Sequence, residues 1–175
     1  MARLPLKNEQ TAPELAPLLQ SIREQRGGKL LVLYQVLLNS PPVAEGWLTL
    51  LTAIRQQTHL EPRLRELIIL RVAMLNGARY EFDVHAPIAR DGGLPQEAID
   101  GLARGEVSDR LTETEREVVA FTDALTRDCQ VPDDLYSPVA RSFDERQMLE
   151  ITATIASYNM VSRLLNALRI DREPG

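Results

Sequence analysis

Beyond its first dozen residues the chain repeats apolar side chains at the three-and-four spacing of a helix, and almost nowhere at the strict alternation of a half-buried strand. The pattern predicts an all-α protein. A first helix is expected over residues 13–25, with Pro13 in a turn that tolerates a missing N–H and Gly27-Gly28 as its stop. A second is expected over 30–38, and a third over 43–57 whose stripe Trp47, Leu50, Leu51 and Ile54 faces a core. The fourth, over 62–75, is apolar on every side from Leu67 to Leu75 except at Arg71, as a helix buried all round would be, and Asn76-Gly77 ends it. The fifth runs over 78–90, bent by Pro87 and closed by Asp91-Gly92-Gly93, and a short sixth covers 95–103. Thr112 and Glu115 stand in capping-box spacing before a seventh with the stripe Val118, Phe121, Thr122 and Leu125, and an eighth covers 132–142. A second such box, Ser142 and Glu145, is expected to open a long last helix to residue 168 with Met148, Ile151, Ile155, Tyr158, Ser162 and Leu165 near one face, leaving residues 171–175 frayed.

Composition narrows the class without naming a function. With 175 residues, 44% hydrophobic and 26% charged, the chain is expected to be one globular domain over 1–175. Its 20 Lys and Arg against 25 Asp and Glu give a net charge of −5 with no basic tail, which argues against nucleic acid or an anionic membrane as a partner. No apolar stretch approaches the roughly 20 residues of a membrane span, and the amino terminus does not read as a signal peptide. One cysteine, Cys129, with Asp128 beside it, fits a reducing compartment and an unreactive thiol. A cytoplasmic protein is therefore expected.

The chemistry-bearing stretch joins the fourth and fifth helices. Glu81 and His85 stand four apart on one helical face, where a carboxylate can hold an imidazole in one tautomer, and Glu66 opens the apolar run where desolvation favours proton exchange. These three form a candidate proton-transfer site. The bland alternative makes Glu66 a solvated first-turn acid and Glu81–His85 a surface pair, with His85 packed on Phe82 and Ile88. Arg71, a lone cation in an apolar helix, is either one half of an internal ion pair or an anion clamp for a carboxylate substrate. Arg163 and Asn159, four apart on the last helix, have the same two readings, and Tyr80 and Trp47 are read first as core residues. Two histidines and one cysteine do not compose a zinc site, although Glu81 and His85 offer two ligands, and the Gly-Gly pairs lack the lysine and strand of a phosphate loop. Neither a metal nor a cofactor is expected.

The run Arg65-Glu66-Leu67-Ile68-Ile69-Leu70-Arg71-Val72-Ala73, with Asn76-Gly77, Tyr80-Glu81, His85 and Gly93-Leu94, resembles the carboxymuconolactone decarboxylase family, which also contains alkylhydroperoxidase D. Residues 149–166, from Leu149-Glu150-Ile151 to Asn166, look like the family's last helix. The resemblance implies an alkylhydroperoxidase D-like bundle of about eight helices, with amino-terminal helices over 13–57 preceding a core over 62–170, assembled as a homo-oligomeric trimer or hexamer. It aligns Glu66 with the glutamate and His85 with the histidine of the peroxidase branch, while that branch's two cysteines fall on Ala78 and Glu81. A thiol peroxidase would therefore lack its nucleophile and resolving partner. In the decarboxylase branch, a cofactor-free acid/base enzyme acts on a small carboxylated or lactone-like metabolite. Glu66, Glu81 and His85 then share the catalytic roles in an order left open, and Arg71, Tyr80 and Arg163 bind the substrate. A peroxidase-related antioxidant enzyme without the cysteine pair, a metal-dependent enzyme and a non-catalytic oligomeric scaffold are the other readings.

Overall fold

The computed structural model describes residues 2–170; the expectation of a frayed 171–175 lies outside them. Nine α-helices and one 3₁₀ turn, Pro13–Leu15, account for the regular structure, and no strand occurs among the described residues. They fall into two compact units, Met1–Gln57 with Leu165–Gly175, and Thr58–Leu164. No helix among the described residues is long and apolar enough to cross a membrane.

The first unit holds α1 (Ala16–Gln25), α2 (Val32–Leu37) and α3 (Pro41–Gln56), with α1 and α2 both packed on α3. The third helix starts two residues earlier than its pattern suggests because Pro41 and Pro42 occupy the first turn, where their missing N–H groups cost nothing. Its buried face is Ala44, Trp47, Leu48, Leu51 and Ile54, whereas Leu50 is 43% exposed. Leu50 was expected in the stripe; the face that closes the core is centred about one residue away.

The second unit holds α4 (Pro62–Leu75), α5 (Arg79–Asp91), α6 (Gln96–Ala103), α7 (Glu113–Asp128), α8 (Asp133–Ser142) and α9 (Glu145–Leu168), the last of which enters the first unit at Leu165. Helix α4 is central, packed by α5, α6 and α7, and is buried at Leu64 and continuously from Glu66 to Ala73. Its end is a Schellman motif in which Ala78 N–H reaches Ala73 O (2.8 Å) and Gly77 N–H reaches Met74 O (3.1 Å), with Gly77 at φ +63°. A side chain at that φ would be strained, so glycine is what turns α5 back against α4.

The Thr112–Glu115 box forms in both directions, at 3.2 and 2.8 Å, and Arg63 grips Glu115 from α4. The second box is displaced from its expected place. Ser142 is still the last residue of α8 and Phe143 is extended, so Asp144 caps α9, exchanging bonds with Gln147 at 2.8 and 3.2 Å.

Candidate functional site

Helix α4 carries Glu66 and helix α5 carries Glu81 and His85, all three buried at 1%, 2% and 6% exposure. The solvated-acid and surface-pair alternative is thereby set aside, and Ile88, its expected packing partner for His85, is exposed. His85 Nδ1 lies 2.6 Å from Glu66 Oε2. A carboxylate oxygen accepts, so Nδ1–H is the donor and Nε2 is left as the ring nitrogen for chemistry. The other Glu66 oxygen has Arg65 Nε at 3.5 Å. Tyr158 of α9 meets the imidazole edge to face, with centroids 5.3 Å apart.

Glu81 is redirected. Helical spacing put it beside His85, but its Oε2 bonds the Ser162 hydroxyl of α9 at 2.5 Å, and Ser162 also donates to Tyr158 O at 2.8 Å. One hydroxyl has one proton. Both bonds hold at once when the Glu81 carboxyl is protonated, donates to Ser162, and lets Ser162 donate onward. Glu81 Oε1 is buried with no hydrogen-bond partner, which a charged carboxylate would tolerate poorly. Burial accordingly raises the Glu81 carboxyl from 4.5 to about 8, against the smaller opposing pull of the Ser162 bond. In geometry it is therefore Glu66, and not Glu81, that meets His85, and burial favours the neutral form of Glu81.

Arg71 resolves toward the ion pair. Five residues after Glu66, it projects roughly 140° around α4. There it meets α7, where Nε and Nη2 take both Asp123 oxygens at 2.6 Å, and Nη1 takes Gly105 O at 3.1 Å. With its fork closed on Asp123, Arg71 leaves no two-point grip for a substrate carboxylate, so the anion-clamp reading is corrected. Replacing Asp123 by Asn should cost about 3 kcal/mol in urea unfolding, because it strands a buried guanidinium; Asp123 is partly exposed, which keeps the loss at the lower end of the range for broken buried pairs. A change under about 0.5 kcal/mol would show the pair to be dispensable.

Tyr80 is half-buried one residue before Glu81, and Arg163 is exposed one residue after Ser162. Asn159, unlike an anion ligand, is used internally: it accepts from Asn76 and donates to Thr126 and to Ile155 O, each at 3.0 Å. Among the described residues no three His, Cys, Asp or Glu side chains gather as metal ligands. Ala78 is buried at the start of α5, and Cys129 is exposed at the end of α7. Ser162 and Tyr158 were visible in the sequence only as members of the α9 stripe. The signal for Ser162 was a small hydroxyl in a row otherwise made of Met148, Ile151, Ile155, Tyr158 and Leu165.

Residues 41–124 match the model of the carboxymuconolactone decarboxylase family, a stretch that includes Glu66, Glu81 and His85. The uncharacterised protein YdfG of Bacillus subtilis is 28% identical over 115 residues, 65% of this chain and 78% of its own. A protein of unknown function from Agrobacterium tumefaciens, suggested to be the antioxidant defence protein AhpD, superposes with a TM-score of 0.72 at 26% identity, covering 78% of this chain and 94% of that one. The debrominase Bmp8, solved with 2,3,4-tribromopyrrole, shares the fold at a TM-score of 0.80 and 22% identity, over 99% of this chain and 92% of its own. The match over residues 41–124 supports the carboxymuconolactone decarboxylase family for this chain, and its all-helical architecture is that of AhpD-like proteins.

Proposed function

We propose that the chain is an acid/base enzyme, a decarboxylase or related lyase, acting without a cofactor on a small carboxylated or lactone-like metabolite, with His85 as proton carrier and Glu66 as its orienting partner. The observation that carries this reading is the buried 2.6 Å contact between Glu66 and His85 Nδ1. A buried imidazole fixed by a carboxylate presents one defined nitrogen at a constant angle, which is what proton transfer to carbon requires. In decarboxylation the bond to the carboxylate carbon breaks, carbon dioxide leaves, and the electron pair delocalises onto the carbonyl as a dienolate. His85, protonated on both nitrogens and stabilised by Glu66, then gives the Nε2 proton to carbon and is recharged from water. Neutral Glu81, one helical turn away, spends its proton on Ser162 and so adds no negative charge beside the imidazole. Arg163, exposed on α9, remains the arginine for the substrate carboxylate.

Two measurements test this. Carboxylated lactones should release carbon dioxide with the parent and with Cys129→Ser alike, while hydroperoxide should not be consumed with a dithiol reductant. Peroxide turnover lost in Cys129→Ser would overturn the lyase reading. The proposal includes a homo-oligomer, trimer or hexamer, supported by the exposed apolar side chains Leu149 (69%) and Met160 (37%) on α9. Light scattering should return a multiple of 19.7 kDa; a monomer at micromolar concentration would remove that part.

A further inference from the structure

The first unit contains a guanidinium whose partners are all neutral. Arg26, at the end of α1, donates Nε to the Tyr34 hydroxyl at 2.9 Å, and Nη1 to Gln25 O at 2.8 Å and to the Thr52 hydroxyl at 3.0 Å. Its guanidinium carbon lies 5.3 Å from the centre of the Tyr34 ring. Nη2 is buried and has no hydrogen-bond partner. Tyr34 is buried too, and its hydroxyl, having accepted from Arg26, has its own proton without an acceptor among the described residues. The Thr52 proton is already taken by Gln25 Oε1 at 2.7 Å.

Every unspent group here is therefore a donor, and the local charge is positive. Burial raises the Tyr34 phenol, while Arg26 and then Arg55 pull it back, which puts a second guanidinium within electrostatic reach of the same hydroxyl. The sequence agrees: residues 1–57 hold six Lys and Arg against four Glu, in a chain whose net charge is −5. A desolvated cation is stable only when an opposite charge or enough acceptors face it, and Arg26 has neither carboxylate nor a full set of acceptors. What completes this cluster chemically is an anionic oxygen able to take two N–H bonds and one O–H bond. Gly27 and Gly28, both exposed and at positive φ, follow Arg26 directly in the chain.

We propose that Arg26 and Tyr34 form a binding site for a small oxyanion, a carboxylate or a phosphate. Arg26 Nη2 and the Tyr34 hydroxyl donate to it, Thr52 and Gln25 hold the guanidinium in place, and Arg55 adds attraction at longer range. The site makes no use of His85, so it stands or falls apart from the proton-transfer reading.

The sole tryptophan, Trp47, lies buried on α3 five residues before Thr52 and serves as a local reporter. Inorganic phosphate and acetate are titrated separately into the full chain against chloride of matched ionic strength, following Trp47 fluorescence and the melting temperature. A saturable change with a raised melting temperature is expected for at least one of the two anions. The one that saturates at lower concentration assigns phosphate or carboxylate. Arg26→Gln should weaken binding about tenfold or more, and Tyr34→Phe, which keeps the ring but removes the hydroxyl, should weaken it about threefold to tenfold. Should Arg26→Gln not fold, Arg26→Lys keeps the charge and loses the planar fork, and it should also bind more weakly. No anion-specific response in the parent, or undiminished binding in both Tyr34→Phe and the folded Arg26 variant, overturns the proposal.

Discussion

Between pH 4.5 and 8 the protein should lose about 4–5 kcal/mol of folding stability relative to its Glu81→Gln variant. The folded-state carboxyl holds its proton up to about pH 8, whereas the unfolded chain releases it near 4.5. Across that window the folded state binds one more proton than the unfolded state, so each pH unit removes about 1.4 kcal/mol. The contribution is complete below 4.5 and exhausted above about 8. Glutamine keeps the shape of the neutral acid and can still donate to Ser162, but it cannot ionise, so the difference between parent and variant isolates this one group from all other titrations. Urea midpoints taken from pH 4 to 9.5 provide the measurement. Parallel curves for the two proteins would show that Glu81 is charged when folded, and would remove it as a hydrogen-bond donor in the site.

Replacing His85 by Asn should lower turnover of any responsive lactone by about 10² to 10⁴-fold while leaving the helical circular dichroism unchanged. Asparagine retains a donor toward Glu66 Oε2 but has no second ring nitrogen to carry a proton. Glu66→Gln should cost less: its amide oxygen still accepts from Nδ1, so the tautomer is kept, but the imidazolium formed during the cycle loses its negative partner. The effect belongs in kcat, since neither change removes a group that grips the ground-state carboxylate. Parental rates in both variants would exclude the pair from the reaction.

The apolar spacing already implied helices α4 to α9, because a one-sided or all-round apolar row has few other ways to leave water. The Schellman turn at Asn76-Gly77 and the Thr112–Glu115 box were equally readable, since local hydrogen bonding decides them. Errors came where local signals competed. Ser142 and Glu145 have the right spacing for a box, yet α8 still occupies Ser142, and Asp144 and Gln147 take the role. Leu50 sits at a permitted helical interval from Trp47 but is turned outward, since a stripe wide enough to satisfy the pattern is wider than the contact α3 makes.

For the site, the residue types and their helices were written in the sequence, along with the loss of both cysteine positions to Ala78 and Glu81. The partners were not. Spacing along one helix favours Glu81 with His85, a contact available at every i, i+4 pair, and it is blind to a carboxylate arriving from another helix. Only the folding of α5 back onto α4 brings Glu66 to His85, and only the packing of α9 gives Glu81 to Ser162 and buries it enough to stay protonated. Arg71 shows the same division: its burial followed from an apolar helix, but the choice between Asp123 and a substrate depended on what α7 placed opposite it. Which groups are buried is largely a property of one segment's pattern, whereas which groups meet depends on contacts between segments far apart in the chain, and these exist only in the folded structure.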